Sequence, residues 1–84
     1  MLRIYITKPK SKDLDINIIN GIIQTYKGND FSFVNNIDNA DLLVMQYGWT
    51  RSKECIIDQA KALKKGIKCV EGYLYTDKYE VHLN

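Results

Sequence analysis

The sequence predicts a single α/β domain of three layers, in which a mainly parallel sheet of four to five strands lies between helices. Two observations predict this fold class. Short β-branched segments alternate with amphipathic helical segments, and residues 42–47 are apolar at nearly every position. A strand that is apolar on both faces is typical of the centre of a parallel sheet covered by helices on both sides. The chain has 84 residues, enough for one domain, which we assign to residues 1–84.

The first βα unit begins at the start of the chain. Residues 2–7 are β-branched and aromatic, which predicts a strand, and Pro9 then interrupts the ladder because it has no N–H to donate. Asp13 is placed to cap a helix with Asp15 in its first turn, and Gly28 is placed to end that helix. Apolar residues at helical spacing predict the buried face of the helix: Leu14, Ile18, Ile19, Ile22, Ile23 and Tyr26.

Residues 31–34 predict a short second strand, and residues 42–47 predict the third and central one. The residues between them are rich in Asn and Asp, which indicates turns. Parallel strands normally need a crossover of about a dozen residues or more, and this connection is shorter. Either the second strand is a short edge strand, or a crossover helix is missing.

The second half of the chain predicts another helix and a closing hairpin. Thr50 or Ser52 can cap a helix that runs to about Lys65 and closes with Gly66. Residues 67–70 predict a fourth strand. Apolar and polar residues alternate after it around residues 76–78, which predicts a closing hairpin or an edge strand.

Composition excludes several function classes. Twelve basic and ten acidic residues leave a net charge of +2, too small to indicate binding to DNA or RNA. No apolar run reaches the roughly 18 residues of a membrane span, and no signal peptide is recognised, so we expect a soluble, cytoplasmic protein without a membrane partner. Cys55, Cys69 and His82 lack zinc-ligand spacing. We expect two buried thiols, no metal and no cofactor.

The candidate ligand site lies at the carboxyl ends of the predicted strands, where open α/β sheets bind ligands. Residues 7–10 follow the first strand. The third strand is followed by Gly48, Trp49, Arg51 and Ser52, at the start of a helix whose free N–H groups favour an anion. The alternative is that Ser52 only caps the helix and Trp49 only covers the end of the sheet.

Two segments carry a resemblance to a known family. The segment Ile4-Tyr5-Ile6-Thr7-Lys8-Pro9 resembles the opening I-Y-I-[ST]-G-P of nucleoside 2-deoxyribosyltransferase-like proteins. The segment from Ala40 to Trp49 is followed by Ser52, Asp58, Ala60, Leu63 and Gly66. It resembles the pattern A-D-x, hydrophobic strand, G-W-x-x-S-x-G-A-x-x-E-x-x-x-A-x-x-x-G of small members of that family. The resemblance implies a flavodoxin-like domain that binds a nucleoside or nucleotide.

The resemblance also implies roles for individual residues. Asp58 stands at the position of the Glu that attacks the sugar C1′ and displaces the base, and Ser52 at that of the Ser that holds the 5′ end. The sequence departs from the pattern in four places. Asp58 is one methylene shorter than Glu, Cys55 replaces an Ala, and Glu54 and Lys8 each replace a Gly. The alternative is that Glu54 and Asp58 belong to an ordinary solvated charged stripe. The expected substrate-binding set is Tyr5, Thr7, Lys8, Gly48, Trp49, Arg51, Ser52 and Glu54, with Asp58 as the catalytic residue.

The resemblance therefore implies a nucleoside- or nucleotide-binding protein, and the active members of the family cleave or transfer an N-glycosidic bond. The alternative is a catalytically silent nucleotide-binding or sequestering module, of a kind that occurs in phage and prophage genomes. A third possibility is an interaction protein whose pocket is lost. A chain this short has little core, so we expect a homodimer or higher homo-oligomer.

Overall fold

A computed structural model describes residues 1–46, 48–75 and 78–83, with side chains described up to residue 72. Its elements follow the predicted order. They are β1 (Leu2–Thr7), α1 (Ile16–Thr25), β2 (Phe31–Phe33), a 3₁₀ turn (Ile37–Asn39), β3 (Leu42–Gln46), α2 (Lys53–Lys65), β4 (Lys68–Tyr75) and β5 (Lys78–Leu83).

The five strands form one sheet in the order β2-β1-β3-β4-β5. The first four strands in this order are parallel, and β5 runs antiparallel to β4 in a register from Val70–Leu83 to Tyr75–Lys78. The protein is thus a small flavodoxin-like α/β domain, and β3 is its central strand as predicted. The predicted closing hairpin is confirmed, while its turn residues 76–77, like residue 47 after β3, lie outside the described residues.

The two faces of the sheet carry separate apolar clusters because side chains alternate along each strand. On one face, α1 packs Ile18 and Ile22 against Ile4, Leu42, Val44 and Val70. On the other face, Ala62 of α2 packs with Leu43, Met45 and Ile37 of the 3₁₀ turn. Every residue of β3 is buried, which confirms the interpretation of its apolar run.

Packing on the α1 face is close at Gly72 of β4. A Cβ added to Gly72 would lie 2.9 Å from Ile18 Cγ2 and 3.1 Å from Ile18 Cδ1, inside normal van der Waals contact. The missing side chain therefore allows α1 to approach the sheet over β4.

Helix α1 begins later than the sequence predicts. Its N-cap is Asp15, not Asp13, and the Asp15 carboxylate accepts a hydrogen bond of 2.9 Å from Asn17 N. The physical reason is a contact from β3, because Gln46 Oε1 accepts from Asp15 N at 2.8 Å and holds this residue in the extended conformation. Leu14 and Ile23, predicted to be buried, are 42% and 43% exposed.

Helix α2 agrees with its sequence signals. The Ser52 hydroxyl caps it by accepting from Cys55 N at 3.3 Å, and Gly66 ends it in the left-handed conformation at φ 73°. Neither α1 nor α2 is long and apolar enough to cross a membrane.

The short connection between β2 and β3 contains only the 3₁₀ turn. Strand β2 has three residues and lies at the edge of the sheet, which is the first of the two alternatives that the sequence left open. No helix of this connection covers the flank of β1 that faces β2, and this flank becomes the candidate site.

Candidate functional site

A groove opens on the flank of β1 that faces β2, toward the carboxyl ends of both strands. The pairing of these strands stops at Ile4 and Phe33, whereas β1 stays paired with β3 as far as Thr7. The groove has a volume of about 620 Å³, within the range of roughly 300–1,000 Å³ that is common for ligand sites. Its lining residues come from β1, from both helices and from the segments that follow β1 and β2. They are Ile4, Tyr5, Ile6, Lys8, Lys10, Leu14, Ile19, Phe33, Val34, Asn35, Glu54, Ile57 and Asp58.

The carboxylate of Asp58 is held in the groove by a hydroxyl from β1. Thr7 Oγ1 donates a short hydrogen bond to Asp58 Oδ2, and Thr7 itself is fully buried. Among the described residues no donor reaches Asp58 Oδ1. One oxygen is thus anchored by the sheet, while the other is available to a ligand.

Tyr5 lines the same groove and is close enough to this carboxylate to interact with its charge. Burial raises the pKa of the Tyr5 phenol above its ordinary value of 10.0, and the charge of Asp58 raises it further. The phenol therefore stays protonated at neutral pH and can donate a hydrogen bond.

A second carboxylate, that of Glu54, lies one helical turn before Asp58 on α2. It is half-buried and lines the groove, and Lys10 N approaches its Oε1 at 3.5 Å. Within the described part of the chain, no donor reaches its other oxygen. Lys8 and Lys10 also line the groove, and neither forms an ion pair with a described residue. The lining of the groove therefore includes two cations and two carboxylates.

The rest of the groove is apolar and open to solvent. Leu14, Phe33 and Ile57 line it, and their side chains are 42%, 44% and 45% exposed. Exposed apolar side chains that converge on one groove are typical of a ligand site rather than of a solvated surface. Apolar and polar side chains that line one groove suit a ligand with one planar, apolar part and one hydroxylated part.

The loop that carries Lys8 and Lys10 is fastened at both ends by one buried amide. Gln46 is 3% exposed. Its Oε1 accepts from Asp15 N at 2.8 Å, and its Nε2 donates to Thr7 O at 3.5 Å. Thr7 and Asp15 are the residues on either side of this loop. The two hydrogen bonds of Gln46 therefore hold both ends of the loop, and they also hold the residue at which α1 begins.

The structure places the predicted site residues in two different regions. Tyr5, Lys8, Glu54 and Asp58 line the groove, and Thr7 reaches it through its bond to Asp58. The residues predicted on the loop after β3 are not among those that line it: Gly48, Trp49, Arg51 and Ser52.

The loop after β3 has local contacts that account for its composition. Trp49 N donates to Gln46 O at 3.0 Å across a turn in which Gly48 adopts φ 88°. Trp49 is 40% exposed, and Lys12 Nζ lies 4.9 Å from the centre of its ring. The Ser52 hydroxyl is already used as the helix cap.

The sequence prediction omitted several groove residues. Leu14, Phe33 and Ile57 resemble ordinary core positions, and only the three-dimensional fold exposes them together. Gln46 had a readable signal, because it is a polar residue inside an otherwise apolar strand. Among the described residues, no group of three or more His, Cys, Asp or Glu side chains lies close enough to hold a metal ion. Cys55 is a buried free thiol and Cys69 a half-buried one.

Comparisons of this sequence with protein-family models, with curated proteins and with solved structures give no match. The side chains that meet in the groove therefore carry the functional inference. They combine an anchored carboxylate, a neutral phenol, two lysines and an apolar wall.

Proposed function

We propose that the groove beside β1 binds a nucleoside or nucleotide, as the resemblance to nucleoside 2-deoxyribosyltransferase-like proteins implies, and that Asp58 faces the sugar. One observation carries the proposal: the hydrogen bond from Thr7 to Asp58 holds a carboxylate in a ligand-sized groove beyond the ends of parallel strands. Such strand ends are where flavodoxin-like sheets bind ligands.

The shape of the groove supports this ligand class. A nucleoside has a flat aromatic base and a hydroxylated sugar. The side chains of Leu14, Phe33 and Ile57 provide the apolar surface on which a base stacks. The polar side chains of Tyr5, Glu54 and Asp58, which line the same groove, provide partners for the sugar hydroxyls.

The chemistry of Asp58 supports cleavage or transfer of the N-glycosidic bond. The anchored carboxylate directs its unbonded oxygen at C1′. A bond forms from that oxygen to C1′ while the C1′–N bond breaks, and its electron pair leaves with the base, which takes up a proton from water. Water or a second base then attacks C1′, loses its proton to solvent and releases the carboxylate. Thr7 keeps the attacking group in place throughout.

Thermal unfolding with added nucleosides and nucleoside 5′-monophosphates tests binding directly. A ligand present at about a hundred times its dissociation constant adds about 2.7 kcal/mol to the free energy of unfolding. We expect this stabilisation in the wild type and in Trp49→Ala, because Trp49 does not line the groove. Ile57→Asp should abolish it, since it places a charge on the apolar wall. If no nucleoside or monophosphate shifts the transition, the proposal is wrong.

Release of free base separates the enzyme from a silent binding module. We expect release by the wild type and none by Asp58→Asn, which keeps the size of the side chain and removes its charge. Thr7→Val should lower the rate and leave binding almost unchanged, because only the orientation of Asp58 is lost. Binding without release in the wild type would favour the alternative, a module that senses or sequesters its ligand.

Assembly into a homodimer or higher homo-oligomer is also part of the proposal. Helix α2 exposes Ile56 and Leu63, the latter to 84%, and apolar side chains of this size are often covered by a second subunit. Sedimentation of the wild type should show an oligomer, and Leu63→Lys should shift it toward the monomer. A folded wild-type monomer at high protein concentration would contradict this expectation.

A further inference from the structure

The floor of the groove includes the backbone edge of β1 that faces β2. Ile4, Tyr5 and Ile6 all line the groove, although successive side chains of a strand point to opposite faces of the sheet. Ile4 and Ile6 pack with the cluster on the α1 face, and Tyr5 packs with the cluster on the α2 face. What these three residues share along the groove is therefore the backbone of β1.

Hydrogen bonds identify the residue of β1 whose backbone is unpaired on this edge. Alternate residues of a parallel strand bond to opposite neighbours. On the β2 flank, Leu2 N donates to Asp30 O at 2.9 Å, and Ile4 O accepts from Val34 N at the same distance. By this alternation the N–H and C=O of Ile6 also face the β2 flank, but pairing with β2 has ended there. In the part of the chain that the structure describes, no hydrogen bond reaches either group of Ile6.

The chain after β2 leaves this edge because its next apolar side chain is buried elsewhere. Ile37 packs with Leu43 on the α2 face, and Asn36 caps the 3₁₀ turn by accepting from Asp38 N at 2.9 Å. Val34 is therefore the last residue of this segment to bond with β1. Backbone groups inside a fold are normally paired, so the next N–H and C=O of β1 are placed to take their partners from a ligand.

We propose that the N–H and C=O of Ile6 bind the edge of a planar ligand on which a hydrogen-bond acceptor lies next to a donor, as on a nucleobase. This inference rests on the proposed function and names the part of the ligand that the groove recognises. Both groups belong to one extended residue, so they match two adjacent ligand atoms, such as those of O=C–N–H or N=C–N–H.

The two helices provide an apolar surface for such a planar group. Ile19 and Ile57 both line the groove, and they belong to helices that pack on opposite faces of the sheet. A flat ring that continues the sheet beyond β1 has one helix on each side. Apolar contact with its two faces and hydrogen bonds along its edge then act together.

N-methylated ligands test the proposal, because methylation removes the donor and leaves the neighbouring acceptor. Calorimetric titration compares uridine, cytidine, inosine and adenosine with 3-methyluridine, N4,N4-dimethylcytidine, 1-methylinosine and N6,N6-dimethyladenosine, each also as its 5′-monophosphate. We expect every unmethylated ligand that binds the wild type to bind about tenfold or more tightly than its methylated counterpart, since the C=O of Ile6 loses its donor.

Hydrogen exchange of the Ile6 amide, followed by ¹⁵N NMR, tests the same contact from the protein. In the free protein this amide should exchange about tenfold or more faster than those of Tyr5 and Thr7, which face the paired strand β3. A saturating unmethylated ligand should slow the exchange of the Ile6 amide about tenfold or more, because its N–H then has an acceptor.

Asn35 provides the matched control. It also lines the groove, and its side-chain amide has a donor next to an acceptor. Asn35→Ala should retain the preference for the unmethylated ligand, because the backbone of β1 is unchanged.

Three results would overturn the inference and leave the proposed function standing. They are equal binding of a ligand and its methylated counterpart, loss of the preference in Asn35→Ala, and an Ile6 amide whose exchange is not slowed by a bound ligand. If no nucleoside or monophosphate binds the wild type, the proposed function and the inference are both wrong.

Discussion

The two flanks of β1 have opposite characters. Toward β3, pairing continues from Ile4–Leu42 to Thr7–Met45, and every residue of β3 is buried. Toward β2, pairing ends at Ile4–Phe33, and a groove of about 620 Å³ follows. The strand on the closed flank belongs to the core, while the open flank carries the groove. The connection after β2 contains only the 3₁₀ turn, so no helix from it covers this groove.

We expect truncation of a buried side chain to lower the free energy of unfolding far more on the closed flank than on the open flank. Leu43 is fully buried on the closed flank, and Leu43→Ala should lower the free energy of unfolding by about 2–5 kcal/mol through lost burial and a cavity. Phe33, on the open flank, is 44% exposed, and Phe33→Ala should cost about 1 kcal/mol. Urea unfolding measures both. Equal losses would show that the flanks do not differ in their contribution to stability.

A smaller effect concerns the pH dependence of the closed flank. Hydrogen bonds from Arg3, with side-chain distances of 3.0 and 3.1 Å, lower the pKa of Asp41 from 3.8 to about 2. A lowered native pKa stabilises the fold above the unfolded value and loses this contribution as pH falls toward the native value. The wild type should therefore lose stability between about pH 4 and pH 2. Asp41→Asn cannot be protonated, so its free energy of unfolding should fall less between about pH 4 and pH 2 than that of the wild type. Acid unfolding curves measure this, and the same dependence on pH in both proteins would contradict the expectation.

The smallest effect concerns one phenol on the open flank. Burial and the charge of Asp58 both raise the pKa of Tyr5. Asp58→Asn removes the charge and leaves the burial, so the pKa of Tyr5 should fall but stay above its ordinary value. NMR titration of ¹³C-labelled tyrosine measures this shift, with Asp30→Asn as the control of equal charge. The same pKa in wild type and Asp58→Asn would mean that the two side chains are not neighbours.

The sequence predicted the first and last residues of an element correctly where a neighbouring residue determines them. The strand before Pro9 and the helix between Ser52 and Gly66 have the predicted limits because the proline, the cap and the glycine act on their own neighbours. The predicted start of α1 was wrong. Asp13 and Asp15 can both cap a helix, and the hydrogen bond from Asp15 N to Gln46 of β3, distant in sequence, favours Asp15.

In the candidate site, too, the sequence predicted what depends on local spacing and missed what depends on long-range contacts. The i, i+4 spacing on one helix predicted that Glu54 and Asp58 lie together, and the structure places both in the groove. The sequence could not show that β2 stops pairing at Phe33, which depends on how far the chain between β2 and β3 must reach. The apolar wall follows from that long-range geometry.

Mapping a bound nucleoside on the protein shows directly whether the groove beside β1 is where the ligand binds. Amide NMR spectra of ¹⁵N-labelled wild type, titrated with the nucleoside that stabilises it most, report which flank of β1 the ligand contacts. We expect the largest shift changes at residues 5–10, 33–35 and 54–58, with small changes at residues 42–46 and 48–52. The largest changes at residues 48–52 would place the ligand on the loop after β3 and contradict the account.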